Sequence, residues 1–157
     1  MGVSITNNGE ELYICIDPQN EDLDQEGFEA LTWTLVDRVG TIGDYGRSTN
    51  IPTYNLLNGK VLKGKGVSDY GSPAIECARD LTDAGQIAMR EAGSEDDQNS
   101  YAFKRVNPSG EIDYLRGVVT GPVRNSGGSE DFVLNTFTLG LDQMPLEIPA
   151  PTGTGGA

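Results

Sequence analysis

Histidine is absent from these 157 residues, and cysteine occurs only twice, as Cys15 and Cys77. Without the commonest general base, Ser-His and Cys-His catalysis have no starting point. No Ser-x-x-Lys occurs either, which leaves the serine–lysine variant unsupported. Two separated thiols and no imidazole nearly exclude a zinc site. Each cysteine sits in a strand-like run, so both are expected to be buried, reduced thiols and not a disulfide. Bases are scarce: 11 Lys and Arg stand against 24 Asp and Glu, a formal net charge of −13. A sequence-tolerant nucleic-acid binder needs a basic footprint to release counterions from phosphates, and this balance is the opposite. Aromatic residues make up only 7% of the chain. Tyr101 and Phe103 beside Lys104 and Arg105 come nearest to a base-stacking platform, but strand alternation makes them core. No apolar run approaches the ~20 residues of a membrane span, so no membrane partner is expected. Met1-Gly-Val-Ser-Ile-Thr6 lacks the basic region and apolar core of an export signal.

What is abundant is glycine and proline, 21 and 8 residues spread along the whole chain, as in a turn-rich β protein. The length favours one domain over 1–157, long enough for a real core. Leu12–Asp17 alternates as a strand, and the acidic 17–26 stretch reads as a loop. Over 31–39 the pattern predicts a strand with Leu31, Trp33, Leu35, Asp37 and Val39 on one face. Residues 60–67 read as its return, and 74–80 as a further strand with Ile75 and Cys77 on one side. The period then changes: 82–93 is the one convincing helix, with Asp80 or Thr82 as cap, Gly93 as exit, and Ala84, Ile87 and Ala88 as the packing stripe. Tyr101–Val106 and Glu111–Thr120 form a hairpin around Asn107-Pro-Ser-Gly110, and 131–141 is the last long strand. The fold class is therefore mainly β, an antiparallel sandwich or barrel of about seven strands with one flanking α-helix. Residues 1–11 and 142–157 read as extended terminal arms.

Residues 40–58 form a loop longer than the ~12–15 residues above which structureless loops are functional or disordered. Disordered segments are poor in apolar groups, yet this one holds Ile42, Tyr45, Ile51, Tyr54, Leu56 and Leu57. Such residues on a projecting loop point to a surface that another chain covers. A loop folded back over its own domain is the plainer alternative.

Catalytic motifs fail one by one. Gly59-Lys-Val-Leu-Lys-Gly-Lys65-Gly66 has phosphate-loop spacing, but Gly66 stands where Ser or Thr must bind magnesium, and no helix follows. Gly40, Gly43 and Gly46 lack the βαβ unit of a dinucleotide site. Asp69, Glu76, Asp80 and Asp83 could pair as glycosidase carboxylates, but acids this common pair by chance. No cofactor, no metal and no enzymatic activity are expected.

The order of parts carries a resemblance. Trp33-Thr-Leu-Val-Asp-Arg-Val39 leads into an Ile-Gly loop. Lys63-Gly-Lys-Gly-Val-Ser-Asp-Tyr-Gly71, the helix Asp83-Ala-Gly-Gln-Ile-Ala-Met89, Phe103-Lys-Arg-Val106 and Leu115-Arg-Gly-Val-Val-Thr-Gly-Pro122 follow. Leu139-Gly-Leu-Asp-Gln-Met-Pro145 closes the series. Across nearly its full length the chain resembles the major tail tube proteins of long, flexible-tailed (siphovirus-type) bacteriophages. That resemblance implies homohexameric rings whose inner sheets join into one barrel, stacked into a hollow tube, with the long loop and both arms bridging rings. It implies tail-tip, tape-measure and tail-terminator proteins as partners, DNA as cargo in transit, and a place in the virion tail after synthesis in the bacterial cytoplasm. Asp69, Glu76 and Asp80 become candidate lumen acids, which would repel phosphates instead of trapping them. A secretion-type tube protein shares the fold class, and a carbohydrate-binding sandwich would also be acidic and turn-rich.

Overall fold

The computed structural model describes residues 6–151. Strands β1 (Glu11–Ile14), β2 (Thr34–Val36), β3 (Val39–Ile42), β8 (Ala74–Ala78), β9 (Ser100–Val106), β10 (Ile112–Arg124), β11 (Leu134–Leu141) and β12 (Leu146–Ile148) build one antiparallel sheet. Between β3 and β8 lie four short strands, β4 (Ser48–Thr49), β5 (Thr53–Asn55), β6 (Val61–Lys63) and β7 (Ser68–Asp69). Helix α1 (Gln25–Glu29) precedes β2, and α2 (Ala84–Ala92) follows β8. The main sheet runs β2-β1-β9-β10-β11-β8-β3, with β12 added to β10.

Strands β2 and β3 stand at opposite ends of that order, yet only Asp37 and Arg38 separate them in sequence. The sheet must therefore curl until its ends nearly meet, and covalent chain crosses the seam where a closed barrel would have a ladder. The expected single strand over 31–39 is thus two strands. Arg38 redirects the chain with φ 63°, a left-handed conformation uncommon outside glycine. Phe28 and Glu29 belong to α1, whose cap is Asp24 accepting the Gly27 N–H at 2.8 Å. The acidic 17–26 stretch therefore ends in a helix start.

The expected face of that run is also inverted. Val36 is buried in the core while Leu35 is exposed, and Leu31 and Trp33 pack on the outer side of the sheet. There they join Cys15, Phe28, Ala102 and Tyr114, with Phe28 and Tyr114 stacked at 4.9 Å. Because segment 15–33 covers this outer face, large apolar residues point both ways and simple alternation misleads. The inner face holds Leu12, Ile14, Ile75, Cys77, Phe103, Leu115, Phe137 and Leu139. Tyr101 and Phe103 are buried as expected, and so are both cysteines, as free thiols. Burial pushes the Cys77 thiol up to about 11.

Helix α2 seats Ala88, Met89 and Ala92 in this core, with Asp83 as its cap and Gly93 at its exit. Ala84 and Ile87, expected on the packing stripe with Ala88, lie on the exposed side. The real contact face begins at Gly85 and Gln86. A Cβ at Gly85 would stand 2.1 Å from the Leu35 carbonyl oxygen, so glycine sets how closely helix and sheet approach. Gln86 mends the seam: its amide donates to the Asp37 and Ala78 carbonyls, both at 2.9 Å, and accepts from the Asp80 N–H at 2.9 Å. One buried side chain thus ties the β2–β3 corner to the end of β8 and satisfies backbone groups there.

The Asn107–Gly110 turn joins β9 to β10 as expected. The 142–157 arm is not free along its length, because β12 pairs with Ile112–Tyr114 and Gln143 is buried. Of the 1–11 arm, Glu10 is tied to Arg105 and Glu11 opens β1. Residues 1–5 and 152–157 of the two arms lie outside the described residues.

Candidate assembly surface

The 40–58 segment is not a loop. It is the outgoing half of a two-stranded ribbon whose return half is 60–73. Gly43 N–H bonds the Ala74 carbonyl (2.8 Å), and Gly46 N–H the Tyr70 carbonyl (3.0 Å). Ser48 and Thr49 pair with Asp69 and Ser68, and Asn50 N–H reaches the Val67 carbonyl at 2.9 Å. Thr53, Tyr54 and Asn55 pair with Lys63, Leu62 and Val61. The tip turns through Gly59 (φ +88°), with Leu56 N–H on the Lys60 carbonyl at 2.7 Å. At ~3.3 Å per residue, the return half over 60–73 can reach about 45 Å. The expected strand at 60–67 shrinks to β6 and pairs with β5 instead of with 31–39; beyond Lys63, Gly64 and Gly66 N–H still donate to the Pro52 (3.1 Å) and Asn50 (2.6 Å) carbonyls, but Pro52 has no N–H to return.

The six apolar residues of this segment split into two groups. Ile42 and Tyr45 sit at the base and pack against the protein's own core, together with Tyr70. Ile51, Tyr54 and Leu57 are exposed farther out, Leu57 fully so at the tip, and Leu56 is half-buried. Val61, Leu62 and Val67 on the return strand are exposed as well. Tyr54 and Leu62 face each other directly across the ladder and so share one side of the ribbon. Such a two-stranded element, unpacked on either face, is marginally stable alone.

A charged clamp fixes the base. The Tyr45 hydroxyl donates to Asp113 of β10 and accepts from Arg105 Nη1 of β9 at 3.3 Å. Arg105 also grips Glu10 at 2.6 and 2.8 Å. Burial, and then the Asp113 bond, hold the Tyr45 hydroxyl far above the usual phenol range. Burial alone would lower the Arg105 pKa, but its bonds to Glu10 and Tyr45 outweigh that and raise it. The ribbon base and the chain before β1 thus meet on one guanidinium. Nothing in the local pattern identifies Tyr45 and Arg105 as partners, because they lie 60 residues apart.

The candidate lumen acids lie on three separate elements. Asp69, on the ribbon, accepts the Gly71 N–H at 3.1 Å. Glu76 lies mid-β8, between Thr41 of β3 and Thr136 of β11. Asp80 precedes α2 and binds the Thr82 hydroxyl (2.7 Å) and N–H (3.0 Å); these bonds, the hydroxyl first, hold its carboxyl below the ordinary 3.8. Charge is nevertheless segregated. Residues 46–66 carry four bases, Arg47, Lys60, Lys63 and Lys65, and no acid. The remaining seven bases face 24 acids, so the rest of the chain is a formal −17. Among those seven, Arg116 is buried and bound to Asp22 (2.6 Å) and Gln143 (2.8 Å).

No protein-family model and no curated protein matches this sequence. Solved structures do match its fold. A chain of the PVC sheath/tube terminator of an extracellular contractile injection system, in the extended state, has a TM-score of 0.64 at 10% identity, over 94% of this chain and 99% of that one. A chain of the sixfold-symmetrised anti-feeding prophage (AFP) baseplate gives 0.62 at 12% identity, over 97% and 100%. One from the extended PVC sheath-tube complex gives 0.57 at 11%, over 88% and 87%. The curled sheet with its flanking helix is a fold found in these phage-like injection assemblies.

Proposed function

We propose that this chain is a structural subunit of a phage-like tail that binds copies of itself, as homohexameric rings stacked into a hollow tube. The observation that carries the reading is the ribbon: a basic arm, apolar on both strands, projecting from an acidic body. An arm of one charge and a body of the other attract between copies, and exposed apolar side chains add affinity once docked. The fold likeness to chains of sheath-tube and baseplate assemblies supports the same reading, as does the resemblance to flexible-tail tube proteins. The fold neighbours come from contractile systems, so the proposal covers phage-like tails of either kind.

Under this reading the protein works in the tail and performs no reaction. Tail-tip, tape-measure and terminator proteins are its further partners. DNA is cargo in transit and not a ligand: the body is strongly acidic, and buried Arg116 is unavailable to phosphates.

Light scattering and negative-stain microscopy of concentrated protein test it. Rings or hollow tubes are expected, weakening as salt shortens the Debye length below the ~8 Å of physiological buffer. A monomer at every concentration and salt, also after seeding with tail-tip complexes, would refute self-assembly. A gel shift at physiological salt should show no DNA retention.

A further inference from the structure

Beside the sheet seam, Arg38, Arg79, Asp80, Leu81 and Val133 line an open cavity of about 400 Å³. Three features set it apart. Arg79 Nε is buried and, among the described residues, is the one buried side-chain nitrogen or oxygen with no hydrogen-bond partner. Arg38 holds the left-handed φ of the β2–β3 turn, where glycine or asparagine would fit without strain. An arginine there carries a conformational cost that its turn does not need. Leu81 and Val133 give the cavity an apolar rim, exposed by 55% and 40%, and the neighbouring Phe132 is 80% exposed. One carboxylate faces the two guanidiniums. Asp80 spends Oδ1 on Thr82, and its Oδ2 lies 3.7 Å from Arg38 Nε. The cavity therefore keeps a net positive charge, with planar donors suited to a carboxylate.

We infer that this cavity is a binding site for a carboxylate beside an apolar side chain, and that its occupant is the acidic 17–26 segment of a second copy of this chain. The inference rests on the self-association proposed above. Charge complementarity selects the occupant: residues 1–27 hold seven acids and no base, and Glu21 and Glu26 are exposed beside Asp22, which also holds Arg116, and Asp24, which caps α1, around the half-buried Leu23. A head-to-tail contact of this kind joins two different patches, as closing a ring requires.

The test follows the Arg79 Nε–Hε NMR signal while adding an acetylated, amidated peptide of residues 20–26. A saturable shift is expected with this peptide, none with a version whose four acids are replaced by Asn and Gln, and a weaker response in R38Q. No shift, or an equal shift with the amide peptide, would overturn the site. Self-association is read separately: R79Q should melt like wild type as a monomer but associate at least tenfold more weakly. R79Q assembling normally while the peptide binds wild type would give the cavity to another protein and overturn the second-copy assignment. A wild-type protein that never associates, yet binds the peptide, would refute the tail reading and leave the carboxylate site standing.

Discussion

Strands β9 and β10 have hydrogen-bonded neighbours on both sides and packed side chains on both faces, whereas β5 and β6 have one neighbour each and no buried residue. Both regions are written in the same alphabet of Val, Leu, Ile and Tyr. The difference lies in what covers them. In the body, α2 closes the inner face and segment 15–33 the outer one. In the ribbon nothing among the described residues does so, and the apolar area stays in water unless a partner takes it up. The body thus has a core covered on both faces, and under the proposed reading the ribbon is covered only in an assembly.

Removing the ribbon is the harshest break of this comparison. Replacing 47–67 with a short Gly-Ser linker should abolish association and leave a cooperatively folding body, since loop changes are entropically mild; circular dichroism and sedimentation check both halves. Normal assembly of that variant would show that the two regions do not divide the work this way. The opposite break is Gly85→Ala. Its Cβ would collide with the Leu35 carbonyl, so the body should lose about 1–3 kcal/mol in urea unfolding. Smaller is Tyr45→Phe, which cuts the joint between the regions. Losing that hydroxyl from Asp113 and Arg105 should cost about 1–2 kcal/mol and speed amide exchange in the ribbon more than in the body. Leu62→Ser should move monomer stability by no more than ~0.5 kcal/mol while weakening association. The smallest effect is acid titration. Asp80's folded pKa is depressed, so its stabilising contribution is present above its unfolded pKa and fades as pH falls through the folded value. Asp80→Asn should flatten that acid limb of body unfolding.

Much of the body was legible from sequence because its strands and helix carry their own punctuation. Asn107–Gly110 and Gly93 each mark a turn or helix end by local chemistry, whereas the helix cap, expected at Asp80 or Thr82, is Asp83. The seam was not legible, because it depends on Arg38 in a glycine-like conformation, Gly85 against Leu35, and Gln86 tying the β2–β3 corner to the end of β8. A helix face made of Gly and Gln has no hydrophobic signal, so the stripe was placed on Ala84 and Ile87. The sticky segment at 40–58 was visible by its apolar residues. That it pairs with 60–73 was hidden, since Gly and Pro break the alternation of 40–58 and the strand expected over 60–67 reads as the partner of 31–39. Ile42 and Tyr45 look like their ribbon neighbours until the point where the ribbon leaves the body is known.

Hydrogen–deuterium exchange of the monomer against the assembled protein bears most directly on the claim that the ribbon is the surface another copy covers. Amides and flanking segments of 50–66 should gain at least tenfold protection on assembly, with the strands β9, β10 and β11 unchanged. An assembly in which 50–66 exchanges as fast as in the monomer, while some other face becomes protected, would contradict it.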